Sequence, residues 1–186
     1  PDQWRDRTVD FIKKSRLFAN NLITCSYVEM FGMSGFDMLA KLRPYLPPRQ
    51  FIGVDCDPLV TFDNRVRMLT MPESEWPDLP HGDFFHAAVR AADPSATSPL
   101  PSAAIFCVDD TRQVYNEGWL QSHAIPLQTV ICKALEHHEE ALLIINGSLD
   151  RGATDTGARL IAFSKGVRDV FAAWRPDLTT FLGANF

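Results

Sequence analysis

Short apolar runs that lack polar alternation recur along this chain, with helically spaced stretches between them. The runs are Ile23–Phe31, Gln50–Val54, Ala103–Val108 and Ala141–Ile145. Their length and continuity predict strands buried on both faces. Phe36–Tyr45, Leu59–Met71, Phe84–Ala92, Ile125–His138 and Ala158–Trp174 read as helices, preceded by a leading helix from Trp4 to Asn21. Pro44, Pro47 and Pro48 stop the helix that begins at Phe36. The stretch holding Pro72, Pro77 and Pro80, and the Pro-, Ser- and Ala-rich stretch from Asp93 to Ser102, read as loops. Thr179–Leu182 reads as a last short strand. Alternation of this kind predicts a doubly wound α/β domain: a mainly parallel sheet with helices on both faces. The expected division is a leading helix over residues 1–22 and one domain over residues 23–186.

Composition narrows the function classes. With 46% hydrophobic and 22% charged residues the chain is that of an ordinary globular protein, and 186 residues bury a core without metals or disulfides. A net charge of −5 disfavours non-specific attraction to a phosphate backbone, leaving room only for a local basic patch. No apolar run approaches the ~20 residues of a membrane span, and the N-terminus is polar. Cys25, Cys56, Cys107 and Cys132 form no CxxC pair. The first three lie in or beside apolar runs, so buried reduced thiols and a cytoplasmic location are expected.

Ligands of parallel α/β sheets bind beyond the carboxyl ends of the strands. Acids collect at those predicted ends: Glu29, Asp55, Asp109 and Asp110. A nucleoside cofactor needs a close-approach turn, a ribose acceptor and a polar partner for its base. Residues 29–36, with Gly32 and Gly35, can supply the turn, Asp55 the ribose acceptor and Asp83 the base contact. The GxGxxG spacing of a pyrophosphate site is absent. An anionic Glu29 would repel pyrophosphate and suit the cationic amino-acid end of S-adenosylmethionine.

These segments resemble a known family. Glu29-Met30, then Gly35-Phe36-Asp37-Met38-Leu39-Ala40, looks like the first motif of the catechol- and caffeoyl-CoA-type O-methyltransferases, within the class I S-adenosylmethionine-dependent methyltransferases. Phe51–Pro58, Gly82-Asp83, Ile105–Tyr115 and Leu143–Leu149 resemble the family's later motifs, in order and at similar distances. The likeness covers roughly residues 24–150. It implies a Rossmann-like fold, bound S-adenosylmethionine and methyl transfer to an oxygen nucleophile, often beside a divalent cation. The implied cofactor contacts are Glu29, Gly32, Gly35, Asp55 and Asp83, and the reaction side falls to Asp109, Asp110 and Arg112. The chain departs from the pattern at several points. Phe31 stands at the family's first glycine, and Thr111, Asn146 and Gly147 stand at metal-binding positions, leaving Asp109 as the principal hard-cation donor. Arg112 replaces a lysine, and a guanidinium orients an anion but does not act as a base.

Other readings compete. Glu29, Asp55 and Asp83 could instead cap the following helices, a reading that rivals the ligand role most at Asp83. The domain could be a non-catalytic relative that serves assembly or partner binding. Arg5, Arg7, Lys13, Lys14 and Arg16 make the leading helix basic, which suits either solvent or a nucleic-acid substrate. Trp119 and Tyr115 are candidates to wall an acceptor pocket, whether for a small molecule or a macromolecule.

Overall fold

The computed structural model describes residues 3–33, 35–94, 99–110, 117–147 and 156–174. The described chain begins with helix α1 (Gln3–Lys13), which buries Val9 and Ile12 and packs against α2 (Gly35–Leu42). The helix is shorter than its periodicity predicted. Residues 18–23 instead form a two-residue hairpin, β1 (Phe18–Ala19) against β2 (Leu22–Ile23). Asn20 and Asn21 sit between them at φ 54° and 62°. Two successive left-handed residues make the tight turn that matches strand twist, and asparagine tolerates that conformation.

Strand β3 (Ser26–Met30) pairs in parallel with β4 (Phe51–Val54) on one side and with β5 (Ala103–Asp110) on the other. With β6 (Leu142–Gly147) the sheet order is β4-β3-β5-β6. This is a mixed α/β fold, a four-stranded parallel sheet flanked by helices. The strands are buried almost without alternation, as their sequence implies: Tyr27, Val28, Phe51, Ile105 and Phe106 have no exposed surface. Helix α4 (Phe84–Ala92) packs against β3.

The stretch read as a proline-containing loop carries a partial ladder along the outer edge of β4. Asp78 donates to Phe51 O (2.9 Å) and accepts from Gly53 N (2.8 Å), and Gly82 N donates to Asp55 O (3.0 Å). Isolated parallel bridges join Ile52 to Asp78 and Asp55 to His81. Pro77 and Pro80 have no N–H, which confines the segment to an edge and keeps it from becoming a full strand. The succession along the sheet is therefore this edge segment, β4, β3, β5 and β6. The chain first builds outward from β3 through β4 to the edge, then returns to the other side of β3 with β5. The direction of building reverses between β3 and β5.

Two compact units divide the chain, one of residues 1–109 and 130–145, the other of residues 110–129 and 146–186. The whole sheet up to Asp109 and Ile145 belongs to the first. The second contains the first part of α5 (Glu117–Leu135) and α6 (Thr156–Trp174). Within it Trp119 and Phe163 lie 6.0 Å apart and Gln128 donates to Val170 O (2.9 Å). Helix α5 starts upstream of its predicted beginning and carries Pro126 inside it. The expected strand Thr179–Leu182 lies outside the described residues. None of the described helices is long and apolar enough to cross a membrane.

Candidate functional site

The rim at the carboxyl ends of β3 and β4 is built by two turns. After β3 the chain passes through Phe31 and Gly32, where φ is +51°. Glycine adopts that left-handed conformation at no steric cost. Helix α3 (Pro58–Met68) secures this turn: Asn64 Nδ2 donates to Gly32 O (2.9 Å) and Arg67 Nη1 donates to Met33 O (3.2 Å). Asn64 is 1% exposed, and its Oδ1 has no hydrogen-bond partner. A Cβ added at Gly32 would meet nothing within 4 Å, so the turn faces open space.

After β4 the second turn is shaped by carboxylates. Asp55 accepts from Asp57 N (2.7 Å) through Oδ1. Asp57 then caps α3 by accepting from Leu59 N (2.8 Å), with Pro58 at the first helical position. Thr61 Oγ1, also from α3, lies 3.0 Å from Asp57 O and 3.3 Å from His81 Nδ1. Gly82, at φ +149°, is open above its backbone and is tied to Asp55 O. Asp83 caps α4 by accepting from His86 N (2.9 Å). Asp55 and Asp83 thus stand at neighbouring turns of one rim, and both have structural duties there. The cap reading holds for Asp83. For Asp55 the duty is the turn that precedes the cap residue, Asp57.

Glu29 does not stand on that rim. It is 2% exposed and lies inside the sheet layer, in register with Gly53 of β4 and Cys107 of β5. Its Oε2 accepts from the Tyr27 hydroxyl. Burial pushes the carboxyl up to about 8, and the nearby Asp109 charge adds to this, against the pull of the Tyr27 hydrogen bond and of Arg5. Burial thus favours the protonated form of Glu29, against the anionic role that the sequence implies beside a cationic ligand. Burial likewise raises the Tyr27 phenol and the Cys107 thiol. The missed signal was Tyr27: a hydroxyl two residues away on the same strand face supplies a partner that lets a carboxyl be buried.

Phe31 explains its own departure from the family pattern. Its ring turns down into the core, 5.0 Å from Phe36 and 5.9 Å from Phe51, and is 2% exposed. The ring occupies the volume that side chains at Gly35 and Gly53 would need. Gly35 is therefore a packing glycine beneath the turn. The Phe31 side chain leaves the face above Gly32 open.

Asp109 and Asp110 end strand β5 itself; they do not follow it. Asp109 is half-buried and electrostatically coupled to Glu29. The side chain of Asp110, and Thr111, Arg112 and Tyr115 entire, lie outside the described residues. Among the described residues no three His, Cys, Asp or Glu side chains gather to hold a metal ion. Nothing there fits a divalent cation, and no step is derived through one. Trp119 is 7% exposed and stacks on His123 at 4.4 Å within its own unit. Cys25 and Cys107 are buried as expected, but Cys56 is exposed, because it falls in the turn after β4.

The basic leading segment is largely engaged within the chain. Arg5 is 7% exposed, faces Asp37 at 3.8 Å and stacks on Trp4. Lys13 donates to Tyr45 Oη (2.8 Å), and Arg16 meets Glu139 and Glu140. Comparison with protein-family models, with curated proteins and with solved structures finds no match to this chain.

Proposed function

We propose that this chain is a Rossmann-like, S-adenosylmethionine-dependent methyltransferase acting on an oxygen nucleophile, with its cofactor at the rim between Gly32, Asp55 and Asp83. The observation that carries the reading is Asp55. It sits at the carboxyl end of β4, it commits Oδ1 to Asp57 N, and it stands beside the open backbone of Gly82. The other carboxylate oxygen has no partner among the described residues and suits a ribose hydroxyl. The reversal of building direction beside β3 supports the same location, since crevices for nucleotides form at such points. The open turn at Gly32 admits the amino-acid end of the cofactor. Asp83 would face the base. Bound, the cofactor supplies an electrophilic methyl group. The chain's share is to position it and orient the acceptor, a role for which the resemblance points to Asp109, Asp110 and Arg112.

Calorimetry with S-adenosylhomocysteine tests this. Wild type should bind, and Asp55→Asn should not, because asparagine keeps the bond from Asp57 N but loses the second acceptor oxygen. Failure of wild type to bind would favour the second reading, a non-catalytic methyltransferase-like domain. That reading draws on Glu29, a buried acid bonded within the protein and withdrawn from any ligand.

A further inference from the structure

Helix α3 is inside out. Its buried positions are polar, Thr61 at 6% and Asn64 at 1% exposure, whereas Leu59, Phe62 and Val66, with Leu69 just past its end, are 73%, 64%, 46% and 72% exposed. The inner face is polar for a reason already described: it holds the two turns of the rim. The outer face has no such account. Helices of globular proteins bury the apolar stripe, and contiguous exposed stripes mark sites of association. The four residues follow one another at spacings of three, four and three, the seam of a helix pair.

We propose that this face of α3 is a dimer seam, which packs antiparallel against α3 of a second copy across a two-fold axis. The spacing reads the same in both directions. An antiparallel partner therefore sets Leu59 against Leu69 and Phe62 against Val66, so that every apolar residue meets an apolar one and the largest faces the smallest. A parallel partner would set Phe62 on Phe62 and Val66 on Val66, with crowding in one layer and a void in the next. The four side chains leave on the order of 500 Å² in water, so pairing removes at most about 1,000 Å² from them, and the polar flanks must supply the rest of the ~1,200 Å² at which specific interfaces begin. The flanking arginines do not oppose the contact. Arg65 donates to Leu79 O (3.0 Å) and Arg67 to Met33 O, so both guanidinium groups are held against their own chain. A self-complementary patch related by a two-fold is also the commonest way in which soluble chains associate.

Sedimentation velocity of the full chain over a dilution series tests the proposal. A dimer that dissociates on dilution is expected, and Phe62→Glu or Leu69→Glu should each remove it while circular dichroism stays unchanged. Ile125→Glu, at a position 74% exposed on another helix, should leave the dimer intact. Orientation is read by cross-linking in a Cys56→Ser background. A chain carrying Leu59→Cys should form a disulfide with a chain carrying Leu69→Cys, and neither should link to itself. Wild type that stays monomeric at every concentration overturns the proposal. So does a dimer that survives both glutamates, or self-linking of Leu59→Cys.

Discussion

Asn64 Nδ2 donates to Gly32 O across 2.9 Å, and through that bond a buried side chain of α3 fixes the left-handed turn after β3. The carboxamide cannot be flipped without setting two oxygens face to face, so the orientation of Oδ1 follows from the bond. Through Asn64 and Thr61, α3 braces both the turn after β3 and the turn after β4.

Removing that support should be costly. Asn64→Ala removes a buried side chain and the partner of the part-buried Gly32 carbonyl and is expected to destabilise the fold by about 1–3 kcal/mol. Urea unfolding measures this. Arg67→Ala, which removes an exposed bond to the same turn, should cost well under half as much.

Phe31 and Gly53 form a ring-and-gap pair. Gly53→Ala places a methyl group inside the volume of the ring and should destabilise by ~1–3 kcal/mol. In a Phe31→Leu background the same substitution should cost much less. Additive losses in that double-mutant cycle would mean that the two positions do not share the space.

Glu29 gives stability a sign with pH. Its carboxyl titrates at about 8 in the folded chain against an ordinary 4.5, so the folded state binds more protons between those values. Its contribution to stability therefore falls as pH rises from about 4.5 through 8 and is flat beyond. Glu29→Gln keeps an acceptor for Tyr27 and removes the titration. The difference between variant and wild type in urea midpoint should grow in the variant's favour as pH rises across that window. A constant difference would contradict the burial of an ionisable group there.

The caps can be checked separately from any ligand. Asp57→Ala and Asp83→Ala each remove a bond to a helix N-terminus and should cost ~0.5–2 kcal/mol. Asp57→Ser and Asp83→Ser should recover most of that loss.

Much of the architecture was legible because buried parallel strands announce themselves. Phe51–Val54 and Ala103–Val108 are apolar on both faces and fall where the continuous runs predicted. Two errors have local causes. The leading helix was extended through Asn20-Asn21, although two adjacent asparagines signal a left-handed turn. The edge segment around Asp78 was read as loop because Pro77 and Pro80 mask its ladder bonds. The site was less legible than the fold. Asp55 is a candidate by its place after a strand, a one-dimensional cue, and it does stand at the end of β4. Asn64 was not, because its role depends on contact with a turn 32 residues away. Glu29 is a candidate by position, but burial beside Tyr27 favours its protonated form, an effect that spacing does not encode.

Pro77 and the Arg65 bond to Leu79 O also guard the outer edge of the sheet. An outermost strand with free donors is a template onto which another chain can add, and continued addition yields fibres. Asp78 bonds inward to β4, so the outward side has no donor at Pro77, and the outward Leu79 O already accepts from Arg65 (3.0 Å); an incoming strand would find an interrupted row of bonds. The cost of a weakly paired edge is thereby offset by resistance to runaway sheet growth on that side of β4.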